Sequence, residues 1–136
     1  MTVSPDIKIL KEIKIPEASI RLREDGIVHV VYGKNITLDI ELQMKMFNLY
    51  KEITGGRKVP FVFSAMEGVS ITKEARDNAI KIEEASVVCA VAVIADSLAY
   101  KLIANFYLKV NRPKSPFAVF TKLDDAIQWL QKYRAI

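Results

Sequence analysis

Few side chains in this 136-residue sequence could carry covalent or acid–base chemistry. His29 is the only histidine and Cys89 the only cysteine. A hydrolytic triad needs a histidine beside a nucleophile. His29 stands between Val28 and Val30 in a β-prone run, where a structural histidine with a satisfied partner is expected. Cys89 sits in the middle of SVVCAVAVI, so its thiol is expected to be buried and inert, since reactive thiols need exposure and a nearby positive charge. With one cysteine there is no intrachain disulfide, which fits a reducing cytoplasm. One histidine and one cysteine cannot build a zinc site without several carboxylates.

The acid pairs Glu83-Glu84 and Asp124-Asp125 are adjacent in sequence. Neighbours on a helix point about 100° apart, so neither pair converges on one substrate atom. Solvated helix ends account for both. The glycine pair Gly55-Gly56 follows a helical pattern and reads as a C-cap, because a phosphate loop joins a strand to a helix. The residues thus point to no catalytic group, no metal and no cofactor.

Charge narrows the partners. Twenty Lys and Arg face 16 Asp and Glu, a net +4, and the positive residues are spread along the chain. Nucleic-acid binding leaves a denser basic stripe and is not expected. One basic loop, Lys109, Arg112 and Lys114 beside Tyr107 and Phe117, has the composition of a contact for an anionic partner. The competing reading is a loop that is merely solvated.

These residues need elements to position them. Residues 1–18 read as an N-terminal arm, with Pro5 and Pro16 bracketing a charged, isoleucine-rich stretch. A domain over 19–136 follows. Ser19–Arg23 and Ile27–Tyr32, joined by Asp25-Gly26, read as a hairpin. Thr37 is placed to cap a helix carrying Leu42, Met46, Leu49 and Ile53 at helical spacing. Val59–Phe63 is a short strand, and Thr72–Ile82 a helix with a small-residue face at Ala75 and Ala79. Ser86–Ala95, apolar on both faces, reads as a central strand. The apolar run Ala85–Ala95 falls short of the about 20 residues that span a bilayer, and the N-terminus lacks a signal-peptide pattern. Ser97–Val110 is an apolar helix ended by Pro113 and Pro116, and Phe117–Thr121 the last strand. Thr121 and Asp124 have the spacing of a capping box for a final helix. The expected class is α/β, in the order ββαβαβαβα with a mostly parallel sheet.

The hairpin, the helix opened near Thr37 and the segment SLAYKLIANFYLKVNRPKSPFAVFTKLDDAIQWL resemble the SpoIIAA-like superfamily, which includes STAS domains and is akin to the lipid-binding domain of SEC14-type proteins. Asn105-Phe106-Tyr107, Asn111-Arg112-Pro113, Pro116, Ala126 and Trp129-Leu130 place it nearer an uncharacterised bacterial subfamily. The resemblance implies a cytoplasmic, non-enzymatic regulatory or scaffolding module that works by protein–protein contact with an unidentified partner, or with itself as a homodimer. STAS regulators open the helix after their third strand with Asp-Ser-Ser-Gly, whose second serine is phosphorylated. Here Ser70-Ile71-Thr72-Lys73 falls on that pattern, which makes Thr72, with Ser70 beside it, the implied phosphoacceptor. Ser70, Ile71 and Lys73 depart from the pattern, and the plain alternative for Thr72 is a helix N-cap. The SEC14 likeness implies an apolar pocket or interface from Leu98, Leu102, Ile103, Phe106 and Tyr107 with Met66. A small apolar-ligand carrier is therefore the alternative function, and an enzyme of unknown reaction the third.

Overall fold

A computed structural model describes residues 7–95, 105 and 109–134. In chain order its strands are β1 Ile9–Ile15, β2 Ala18–Arg23, β3 Val28–Tyr32, β4 Thr37–Leu38, β5 Val59–Ala65, β6 Ser70–Ile71, β7 Val88–Ile94 and β8 Phe117–Phe120. The helices are α1 Ile40–Thr54, α2 Lys73–Lys81 and α3 Leu123–Leu130, the last continued by a 3-10 turn. Six strands form one sheet in the order β1-β2-β3-β5-β7-β8, and β4 and β6 form a separate pair. The first three strands are antiparallel neighbours, and from β3 onward every pairing in the sheet is parallel.

The sheet separates two apolar layers. On one face Val28, Val30 and Phe61 meet Leu42, Met46, Tyr50 and Ile53 of α1. On the other Val62, Ala90 and Ala92 meet Ala126 and Leu130 of α3. The alternation of side chains along each strand makes both layers from the same strands. β7 lies between β5 and β8 as the expected central strand, and its small Ala90 and Ala92 let α3 approach closely.

Three local expectations give way. The stretch read as a loose arm is, from Ile9 to Ile15, an edge strand paired with β2 through a two-residue turn at Pro16-Glu17. Its isoleucines Ile13 and Ile15 pack against the core, which the interleaved lysines disguise. Thr37 belongs to β4, and the cap of α1 is Asp39, whose Oδ1 accepts the Leu42 N–H at 2.9 Å. The capping box at Thr121 and Asp124 does not form. Lys122 holds the N-cap position of α3 without a side-chain bond, and Asp124 and Asp125 sit in the first turn, where the helix dipole favours acids. Gly55, with φ 65°, ends α1 as the glycine pair implied.

Candidate functional site

A cleft of about 330 Å³ lies on the α1–α2 side of the sheet. Its floor is Phe63, Val91 and Val93, and its walls include Tyr32, Tyr50 and Met46 on one side and Ala79 and Ile82 on the other. The small Ala79 explains the space, because α2 presents a methyl group where a larger side chain would fill the gap. The volume falls at the lower end of the range typical of small-molecule sites.

Its polar groups are largely occupied by the fold itself. Tyr32 and Tyr50 place their hydroxyls 3.3 Å apart in a buried pair. Burial pushes both phenols above their ordinary range, so both stay neutral. The Tyr50 ring stands edge-on to Phe61 and Phe63, at 4.8 and 6.2 Å between centroids. Gln43 crosses from α1 to α2: its Nε2 donates to Ala75 O at 2.8 Å, and its Oε1 accepts from Asn78 Nδ2 at 2.8 Å. Arg76 donates to Ile71 O at 3.1 Å.

The far rim is made by the segment before β8. Pro113, Ser115 and Phe117 line the cleft, and α2 together with the turn after it holds that segment in place. Asn111 donates to Asp77 at 2.9 Å, and the backbone N–H groups of Lys114 and Ser115 both donate to the Glu83 carboxylate at 3.1 Å. Glu83 is thus a structural acceptor and not the solvated helix end that its place beside Glu84 suggests. The Lys73 and Asn111 hydrogen bonds hold Asp77 below the usual carboxylate range.

The basic loop is only partly a free cationic surface. Lys114 Nζ comes within 4.0 Å of Glu84, and Arg112, at φ 51°, donates to Lys109 O. Met66 is exposed directly after β5 and does not itself line the cleft. Leu98, Leu102, Ile103, Phe106 and Tyr107 lie outside the described residues.

At the carboxyl ends of β3 and β5 the two helix starts are tied together. Thr37 pairs with Ser70 and Leu38 with Ile71, and Thr72 N–H donates to Leu38 O at 3.0 Å. Ser70 is exposed, its hydroxyl 3.3 Å from that of Thr37. Thr72 caps α2, its hydroxyl accepting the Ala75 N–H at 3.1 Å. Ligands of open α/β sheets bind at such carboxyl ends.

His29 lies on the opposite face, with Nε2 2.8 Å from Ser64 Oγ. Burial, with Arg21 and Arg23 nearby, lowers its pKa to about 4. Cys89 is half-buried, its Sγ 3.6 Å from Tyr133 O, and burial pushes its thiol up, away from the reactive thiolate. Among the described residues no cluster of three or more His, Cys, Asp or Glu could hold a metal ion, and no helix is long and apolar enough to cross a membrane.

No curated protein matches the sequence. Among solved structures, an uncharacterised protein of the DUF3478 family with a SpoIIAA-like fold, from Shewanella loihica PV-4, superposes with a TM-score of 0.56 at 15% identity, over 91% of this chain and 93% of that one. The fold is therefore SpoIIAA-like, as the resemblance implied. The family model of a domain of unknown function, DUF7793, matches residues 20–134, and the chain belongs to that family.

Proposed function

We propose that this chain is a non-catalytic binding module whose binding element is the apolar cleft between the sheet and the α1–α2 layer. The observation that carries this reading is the floor of Phe63, Val91 and Val93 facing Ala79 and Ile82 across about 330 Å³. Burying a ligand's apolar surface there contributes a gross stabilisation of about 25 cal/mol per Å² removed from water, from which the cost of immobilising the ligand is subtracted. The neutral Tyr32–Tyr50 pair gives one end of the cleft a hydroxyl contact without charge. The ligand is a small, mainly apolar molecule with at most one neutral polar group. Native mass spectrometry of protein purified gently from its own host tests this. A retained adduct of a few hundred daltons, lost in Ala79→Trp, is the expected result; bare protein that takes up nothing from a lipid extract of that host contradicts it.

A second reading, contact with a protein partner governed by phosphorylation, rests on the exposed Ser70 and the cap at Thr72. A phosphate on either would meet the N-terminal turn of α2, where free N–H groups and the helix dipole favour negative charge. The same spectra read it: an added phosphate mapping to Thr72 or Ser70 supports it, and unmodified protein counts against it.

A further inference from the structure

We propose that β1 pairs with β1 of a second copy of the chain, joining two six-stranded sheets into one across a two-fold axis at Ile13. β1 is an edge strand, bonded among the described residues to β2 alone. It leaves Ile9 and Leu10 40% and 55% exposed. An edge of this length with aliphatic residues is a template for another strand unless something blocks it. Lys11 and Lys14 block most pairings, and the charge of Lys14 opposite Glu12 selects one.

The phase of the ladder follows from the turn. Pro16-Glu17 closes on the pair Ile15–Ala18, so the odd-numbered residues Ile13 and Ile15 bond inward to β2. Glu12 and Lys14 then point their N–H and C=O groups outward. In an antiparallel pair centred on Ile13, Glu12 of one copy exchanges both backbone hydrogen bonds with Lys14 of the other, and the reciprocal pair does the same. The two Ile13 side chains meet at the axis, on the face where each already packs against its own core. On the opposite face each Glu12 carboxylate faces a Lys14 ammonium across the junction. That Glu12 already accepts from Arg21 Nε at 2.8 Å, which fixes its position. Lys14 has no ion-pair partner among the described residues of its own chain. Centring the pair on Glu12 instead would oppose two carboxylates, and opposite charges directly across a ladder stabilise it while like charges destabilise it. A two-fold pairing also closes on itself, so it yields dimers and no fibre.

Charge exchange tests the register. Analytical ultracentrifugation of the full chain should show a concentration-dependent dimer. Lys14→Glu opposes carboxylates and Glu12→Lys opposes ammonium groups at both junctions. Each variant alone should dimerise at least tenfold more weakly than the parent, with circular dichroism unchanged. An equimolar mixture of the two should restore the dimer. At one junction the lysine introduced in one variant then faces the glutamate introduced in the other, and at the second junction the unchanged Lys14 faces the unchanged Glu12. A parent that stays monomeric at high micromolar concentration overturns the proposal. So do single variants that dimerise as the parent does, or folded variants whose mixture stays monomeric.

Discussion

At Gly68 the backbone stands at φ 79°, and a Cβ there would collide with Asn35 Oδ1 while sitting 3.2 Å from Asn35 Cα. Asn35 is itself left-handed, at φ 58°, and its N–H donates to Glu67 O at 2.9 Å. Two turns press together at this point, and they carry β4 and β6. Gly68→Ala should therefore cost about 1–3 kcal/mol from the backbone conformation alone, read as a lower midpoint in urea unfolding. A denaturation midpoint equal to that of the parent would refute the close approach. His29 offers a pH test. Its ordinary pKa of 6.5 applies to the unfolded chain, and in the fold the value falls to about 4. Between those values only the unfolded chain takes up the proton, so this contribution is complete above about pH 6.5 and is lost as pH falls toward 4. The difference amounts to about 3 kcal/mol. His29→Asn should flatten that part of the stability–pH curve, and an unchanged slope would show that His29 is not the group responsible. The sequence placed His29 in a strand with a partner, and Ser64 is that partner. It could not name Ser64, because strands adjacent in space are joined here through α1.

At the scale of elements, the helix periodicity was legible. Leu42, Met46 and Ile53 are all buried on α1. The small-residue face at Ala75 and Ala79 was legible too, though not its consequence, since one helix cannot show what stands opposite it. The edge strand was hidden because β1 buries only Ile13 and Ile15 partly and exposes the rest. Half-covered edges carry a weak alternation, and lysines on them read as loop. The caps failed for a related reason: Thr37 has the right chemistry, but pairing with Ser70 takes it into β4 and leaves Asp39 to cap. Glu83 was legible only as an acid at a helix end. Its carboxylate accepts the Lys114 and Ser115 N–H groups from 31 and 32 residues away. Glu83→Ala should leave those two amides without acceptors, so their hydrogen exchange should accelerate by about tenfold or more while that of Val62 and Ala92 is unchanged. Exchange at Lys114 and Ser115 that matches the parent would show that Glu83 does not hold the rim.

For the molecule as described, a right-handed succession of parallel strands places α1 and α2 on one face, and α3 returns on the other. Among the described residues, that division leaves the cleft where α1 and α2 meet the floor of β5 and β7. The sequence favours protein contact over ligand binding, since no single segment displays an apolar cavity. The cavity emerges only when Phe63, Val91, Ala79 and Ile82, from separate turns and strands, converge. Titrating methyl-labelled protein with a short-chain aliphatic alcohol such as 1-octanol, followed by two-dimensional NMR, tests the central claim most directly. Saturable shifts are expected at the methyl groups of Ala79, Ile82, Val91 and Val93, with Ile20 and Ile27 unmoved and the response abolished in Ala79→Trp. Shifts confined to the exposed Ile9 and Leu10, or no saturable shift at the cleft methyls, would contradict the ligand-binding reading.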